Sequence, residues 1–287
     1  MTQQQPDPMR RLLAAAAPAA DTRDMEALRG WLAGIAIEDE AKAARLLEVS
    51  YQLSAGGEYR DARTAAMLAA SLRPRTAKTR VDLAARLRTF NEGRLLQALV
   101  AGAGAASSMP IPLLLGFAAQ WSYLNRQQAA LALLDEAWRA DPDYPPTIVS
   151  RGQVLTYLGR LEEARECFER CIKRAPRLAQ AHWFLAHVGK AVPGREHVAR
   201  LRAALQAPGI AADDIASFAF ALHKELDDLG DHAGAWEALD QACRAKRGTL
   251  KYDPSDSQRL FEALEAWRPP AEPPPMPAAG AKAPVFI

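Results

Sequence analysis

PPTIVSRGQVLTYLGRLEEARECFERCIKRAPRL, residues 145–178, holds the pattern on which the reading of the whole chain turns. Two amphipathic runs flank Gly159, and a glycine between them allows the left-handed backbone that ends one helix and turns into the next. Pro176 stops the second run, because proline has no N–H and its ring collides with the preceding helical turn. Gly152 and Ala164 are small where two such helices would cross, while Leu155, Phe168 and Cys171 are apolar where they would interlock. The segment predicts one helical hairpin.

The same pattern recurs every 34 residues, with units starting at Ala43, Ala77, Ile111, Pro145 and Ala179. At the eighth place stand Ser50, Ala84, Ala118, Gly152 and Ala186, all small. At the eleventh come Leu53, Leu87, Trp121, Leu155 and Gly189; at the twentieth Ala62, Leu96, Ala130, Ala164 and Val198; at the twenty-seventh Ala69, Ala103, Ala137 and Cys171. Pro74, Pro142 and Pro176 close three units, with Ser108 in place of the fourth proline, and Gly57 turns the first unit as Gly159 turns the fourth. A sixth unit starts near Ala216 after a three-residue slip and carries Leu222, Leu226, Gly230, Ala235, Leu239 and Ala242. The fifth is degenerate, with Pro193 and Gly194 in its turn and a shortened second helix ending at Pro208.

This sequence of small residue, Leu or aromatic, Gly, Ala, Phe or Leu, Ala and Pro resembles the tetratricopeptide repeat family. The resemblance implies an all-α fold, a right-handed superhelical solenoid of helical hairpins. The expected organisation is leading and capping helices over 1–42, about six repeats over 43–250, a C-terminal capping helix over 251–268, and a proline-rich linker with a truncated strand over 269–287. Caps are expected because each unit hides its apolar face only against neighbours. Leu28, Trp31, Leu32 and Ile35 form the stripe of the leading cap, and Leu260, Phe261, Leu264 and Trp267 that of the trailing one.

Composition narrows the function. A formal net charge of +2 falls short of the concentrated basic charge of a nucleic-acid binder. No run of about 18 apolar residues exists, so no transmembrane helix is expected. Residues 9–20 (MRRLLAAAAPAA) make a poor signal peptide, broken by Pro18, and read better as a frayed leading helix. Three cysteines, Cys167, Cys171 and Cys243, are too few for a disulfide framework and point to the cytoplasm.

Residues 220–230 (FALHKELDDLG), then 235–246, Tyr252, Asp253, Pro254, Leu260 and Phe261, resemble bacterial proteins that join tetratricopeptide repeats to a sulfotransferase domain. In those proteins a proline-containing linker like 269–284 leads to a strand like 284–287 (PVFI), which feeds a glycine-rich loop with an Arg-Ser-Gly-Thr core. That loop's N–H groups and hydroxyls hold the phosphate of the sulfate donor PAPS. The resemblance thus implies PAPS as cofactor and an attached sulfotransferase domain for a parent protein, while the printed residues lack the loop and carry no catalytic or cofactor residue. One departure is His223, where the family has glycine, which predicts a more open sixth hairpin. A free-standing adaptor is the other reading.

In such an array the first helix of each hairpin lines a concave face through its second, fifth, ninth, twelfth and thirteenth places. The candidate partner-binding groove is therefore Tyr51, Arg88, Tyr123, Gln153, Tyr157, Trp183, His187 and Lys190, where rings and cations would anchor a protein or peptide segment. A homo-oligomer is a further expected partner state. The lysine and asparagine clamp of chaperone-tail receptors is not reproduced, since the fifth and ninth places hold Val149 and Gln153, or Trp183 and His187. Arg73, Arg75, Lys78, Arg80, Arg86 and Arg88 read as a solvated basic face, with an acidic partner as the sharper alternative. Cys167 and Cys171 read as packing thiols, and His182 and His187, five apart, share no helical face for a metal. Gly102, Gly104 and Ser107 imitate a dinucleotide loop but follow a helix, and so read as an inter-repeat loop.

Overall fold

Residues 38–268, apart from 192, 193, 195 and 196, are described in the computed structural model. Among them lie thirteen α-helices in chain order: α1 (Asp39–Ala55), α2 (Tyr59–Ser71), α3 (Ala77–Thr89), α4 (Gly93–Ala101), α5 (Ile111–Tyr123), α6 (Gln127–Ala140), α7 (Pro145–Tyr157), α8 (Leu161–Arg174), α9 (Ala179–His187), α10 (His197–Leu205), α11 (Ala212–Asp228), α12 (His232–Thr249) and α13 (Pro254–Ala266). Among the described residues there is no strand. The fold is an all-α solenoid of stacked helical hairpins.

What repeats most faithfully is the turn. At the fifteenth place of units one to four and six stand Gly57, Asn91, Asn125, Gly159 and Gly230, all with positive φ between 57° and 81°. The next residue's N–H then reaches back to the eleventh-place carbonyl: Glu58 to Leu53 at 2.9 Å, Glu92 to Leu87 at 2.8 Å, Arg126 to Trp121 at 2.8 Å, Arg160 to Leu155 at 3.0 Å and Asp231 to Leu226 at 3.0 Å. This bond satisfies a helix-end carbonyl that has no intrahelical partner. Asparagine tolerates the left-handed region better than other side chains, so Asn91 and Asn125 do the work of the two glycines singled out in the sequence.

Each hairpin closes on its small eighth place. A Cβ added at Gly152 would lie 2.5 Å from Cε1 of Phe168, whose ring is fully buried on α8. Gly152→Ala should gain about 1 kcal/mol in helix propensity yet force a ring with no room to move, at a cost of about 1–3 kcal/mol. The overpacking outweighs the propensity gain, and the urea midpoint of the variant is expected to fall at unchanged m-value. In the first unit Ser50 donates instead to the Ala62 carbonyl at 2.6 Å. In the sixth, His223 Nδ1 stands 3.1 Å from the Ala235 carbonyl, the same pair of places. The expected loosening of that hairpin is therefore not found: α11 and α12 pack along their lengths, because the imidazole satisfies the backbone rather than wedging the helices apart.

Two apolar clusters make up the core. The larger runs from α1 to α9 and includes Phe117, Leu134 and Phe168; the smaller joins α9 to α12 through Leu201, Phe218, Leu222 and Leu226. Helix α9 belongs to both, giving Ala181 and Leu185 to the first and Ala179 and Ala186 to the second. It packs on α11 more than on its own partner α10. In the sequence the fifteenth place of this unit is Pro193, not the glycine or asparagine of the other units.

Adjacent hairpins are also tied by side chains. The Glu40 carboxylate accepts N–H bonds from Arg75 at 2.6 Å and Thr76 at 3.3 Å and the Thr76 hydroxyl at 2.7 Å, placing an anion at the start of α3. Burial pushes this carboxyl up, but the bonds from Arg75, Thr76 and Thr79 outweigh it and hold the pKa down to about 2.

Some expectations change. Helix α4 ends at Ala101, so Ala103 lies beyond it. The expected leading cap, linker and terminal strand lie outside the described residues. Helix α13 forms, with Asp253 accepting the Ser255 N–H at 2.9 Å as its N-cap, but none of its residues is buried. Its stripe of Leu260, Phe261, Leu264 and Trp267 stays 60–65% exposed and covers nothing among the described residues.

Candidate protein-binding groove

The first helices α5 and α7 bring ninth, twelfth and thirteenth places to one cleft. Between α5 and α7 these places enclose a cleft of about 470 Å³, lined by Leu115, Ala119, Ser122 and Tyr123 from one unit and Gln153 and Tyr157 from the next, with Leu134 of α6 also on its wall. No charged side chain lines it. Tyr123 and Tyr157 are 72% and 58% exposed, far above the usual exposure of rings in a packed core. They stand there because the thirteenth place lies just before the turn, where α5 and α7 end and no further helix covers them.

Of the eight residues read from the sequence, the structure joins several in pairs. Gln153 donates to the Tyr157 hydroxyl at 3.1 Å. Arg88 donates to Gln120 at 3.0 Å and its guanidinium lies 4.8 Å from the centre of the Tyr123 ring. Trp183 and His187 stack with centroids 4.1 Å apart, and His187 Nδ1 sits 2.7 Å from the Trp183 carbonyl. Tyr51 lies at the other end, over the Arg86 guanidinium at 4.3 Å. Lys190 is exposed but falls past the end of α9 at His187, so it projects from a loop rather than the expected helix.

The basic stretch is a solvated face only in part: Arg73, Arg75 and Lys78 are exposed, but Arg86 is not. Arg86 is 4% exposed, and it donates to the Ser50 carbonyl at 2.9 Å, the Ser50 hydroxyl at 2.8 Å and the Ser54 hydroxyl at 2.7 Å, between the rings of Tyr51 and Phe90. Burial pulls its pKa below the ordinary value. Arg80 turns back to the Pro74 carbonyl at 2.9 Å. Thus Arg86 joins two hairpins, and the groove keeps Lys78 and Arg88 from the stretch. The thiols behave as expected: Cys167 and Cys171 are buried, and burial pushes both up, Cys171 to about 11.

Sequence reasoning missed one constellation. His182 of α9, His197 of α10 and Glu225 of α11 are all buried and form a chain. His182 Nε2 lies 3.0 Å from the Pro176 carbonyl, its Nδ1 3.2 Å from His197 Nε2, and His197 Nδ1 2.7 Å from Glu225 Oε1. A carbonyl only accepts, so Nε2 of His182 carries a proton. Burial, and next His197, hold the His182 imidazole down to about 4, so it is neutral at physiological pH and its Nδ1 accepts from His197. Separations of 15 and 28 residues gave no motif to recognise. The three side chains are closed to solvent and lie at the junction of the two core clusters.

Comparison with known proteins agrees with the hairpin reading over one unit: residues 146–178 match the tetratricopeptide repeat family. No curated protein shows significant similarity. Among solved structures, the chain is similar to the pilF protein of Pseudomonas aeruginosa, 18% identical over 77% of this chain and 99% of that one, with a TM-score of 0.46. It is also similar to MamA residues 41 to the end from Desulfovibrio magneticus RS-1, 12% identical over 72% and 97%, with a TM-score of 0.41. With TM-scores below 0.5, the repeat assignment rests on this chain's own recurring turns and on the family match.

Proposed function

We propose that this chain is a protein-binding scaffold whose concave face takes an extended partner segment, with an uncharged apolar side chain in the α5–α7 cleft and carboxylates on either side. The observation that carries this is the cleft itself, uncharged, with Leu115, Ala119, Leu134 and Val154 beside polar Asn125, Gln127 and Ser150, formed by successive first helices with two exposed tyrosines at its mouth. The charge of the flanks supports the chemistry. Across units one to five, the second, fifth, ninth, twelfth and thirteenth places include Lys78, Arg88 and Lys190 and no aspartate or glutamate, whereas the sixth unit puts Asp227 and Asp228 at its twelfth and thirteenth. Aromatic surface anchors a segment by buried area, and cations add selectivity and rate of encounter.

Tyr157→Ala and Trp183→Ala test the reading, because both rings sit on the face without filling the core. A library of immobilised peptides, each with one apolar residue between acidic ones, should bind the native chain. Each alanine variant should bind it at least tenfold more weakly, with an unchanged circular dichroism melt. Equal binding by the variants would sink the groove.

A second reading concerns the whole gene product. The resemblance of residues 220–254, with the proline-rich stretch after Pro269, supports an array that positions a cytoplasmic sulfotransferase domain using PAPS. Gly102, which ends α4, and Gly104, which precedes a 3₁₀ turn, follow no strand among the described residues and do not make the phosphate loop of that family. Sequencing the gene beyond residue 287 tests this, with an Arg-Ser-Gly-Thr loop after residues 284–287 as the expected result and its absence as the contrary one.

A further inference from the structure

We infer that helix α13 of one copy of this chain docks in the concave groove of a second copy, so that the chain assembles with itself through two different surfaces. The inference rests on the groove reading and supplies it with an occupant. Its first ground is that an apolar stripe and an uncharged cleft of this chain are left facing solvent. Leu260, Phe261 and Leu264 recur at the spacing that puts them along one side of α13, and Trp267 follows directly after its last residue, Ala266. All four remain more than half exposed, a contiguous greasy stripe of a kind that soluble proteins rarely leave uncovered. The α5–α7 cleft is the matching uncharged depression, with Leu115, Ala119, Tyr123 and Tyr157 on its walls beside Ser122, Asn125, Gln127, Ser150 and Gln153.

Charge chooses between occupants. Helix α13 bears Asp256, Glu262 and Glu265 against one arginine, Arg259, and that arginine is spent on Asp256. It is therefore the acidic, apolar segment that the groove's cations call for: Glu262 and Glu265 directly follow the ring of Phe261 and the side chain of Leu264. The inner places that flank the cleft supply Lys78 and Arg88 on one side and Lys190, near Asp228, on the other. Opposite potentials on the two surfaces favour this register over stripe against stripe, where two sets of carboxylates would meet. A docking of unlike surfaces is heterologous: it closes into a ring or a reciprocal pair when the geometry allows, and otherwise continues as a filament.

The test uses the full chain and two variants that touch exposed residues only. Leu260→Ser with Phe261→Ser removes the helix stripe, and Tyr123→Ser with Tyr157→Ser removes the groove mouth. Sedimentation equilibrium of the native chain should show association that rises with concentration, and each variant alone should associate at least tenfold more weakly. Mixed in equal amounts, the two variants should form a complex of one of each, since the mixture retains one intact helix and one intact groove. A native chain that stays monomeric at all concentrations, or a stripe variant that associates like the native chain, overturns the inference. Failure of the mixed pair to form a complex also overturns it and points to a helix resting on its own groove. The stripe variant probed with the acidic peptide library separates the two claims: peptide binding without self-association removes this inference and leaves the groove, whereas loss of both removes the groove as well.

Discussion

Glu225→Leu should cost about 3–5 kcal/mol of stability, as breaking a buried, hydrogen-bonded pair from one side does. The leucine leaves Nδ1 of His197 facing an apolar wall, 2.7 Å from where the carboxylate stood. Glu225→Gln keeps a polar partner at that distance and should lose far less. The double replacement of His197 and Glu225 by leucine should recover part of the loss, since the carboxylate and its imidazole partner both go and only the neutral Nδ1 of His182 is left without its donor. The damage should be local, with hydrogen exchange accelerating in α9 to α12 while α1 to α6 hold, because the smaller apolar cluster is the one the chain supports. The same chain sets a pH dependence. A His182 pKa lowered in the folded state means the unfolded state binds the proton more readily. Its stabilising contribution is therefore complete above the ordinary value of 6.5 and is lost as the pH falls toward about 4. Urea midpoints measured across that window should decline on acidification, and the decline attributable to this group should vanish in His182→Phe.

Phe168→Ala is expected to cost a similar amount, about 3–5 kcal/mol. The ring is fully buried, lies against the glycine at the crossing of α7 and α8, and stacks on Phe184 of the next unit with centroids 5.3 Å apart. Removing it therefore opens a cavity where two hairpins meet, and relaxation is opposed by the backbone contact at Gly152. In a stack that gains stability from neighbours, losing one interface divides the array. Chemical denaturation should change from a single transition to two. A single transition with a small shift would mean that the hairpins are not coupled through this ring.

The hairpins were legible in the sequence because their determinants are local. A left-handed residue at the fifteenth place, a small one at the eighth and a proline at the end are set by backbone sterics within one unit. Asn91 and Asn125 were readable on the same ground, since asparagine shares glycine's tolerance of positive φ, but attention to glycine alone passed over them. The inner places were legible as a row, and the cleft at Tyr123, Gln153 and Tyr157 falls on that row. Contacts between units were not. Arg86 was read as part of a charged face, although it lies beneath Tyr51 on a neighbouring helix. The His182, His197 and Glu225 chain depends on how a shortened α10 sits between α9 and α11, which no spacing encodes. The stripe on α13 predicted a cap from its amphipathic pattern; the pattern is real, but periodicity says that a face wants covering and not what covers it.

The most direct test places a photoactivatable cross-linking residue at Tyr157, on the inner face of the fourth unit, or at Glu166, on the exposed side of α8 in the same unit. Irradiated with a binding peptide from the acidic library, the chain labelled at 157 should form the cross-linked product and the chain labelled at 166 should not. Cross-linking from 166 with none from 157 would contradict a scaffold that binds through its concave face.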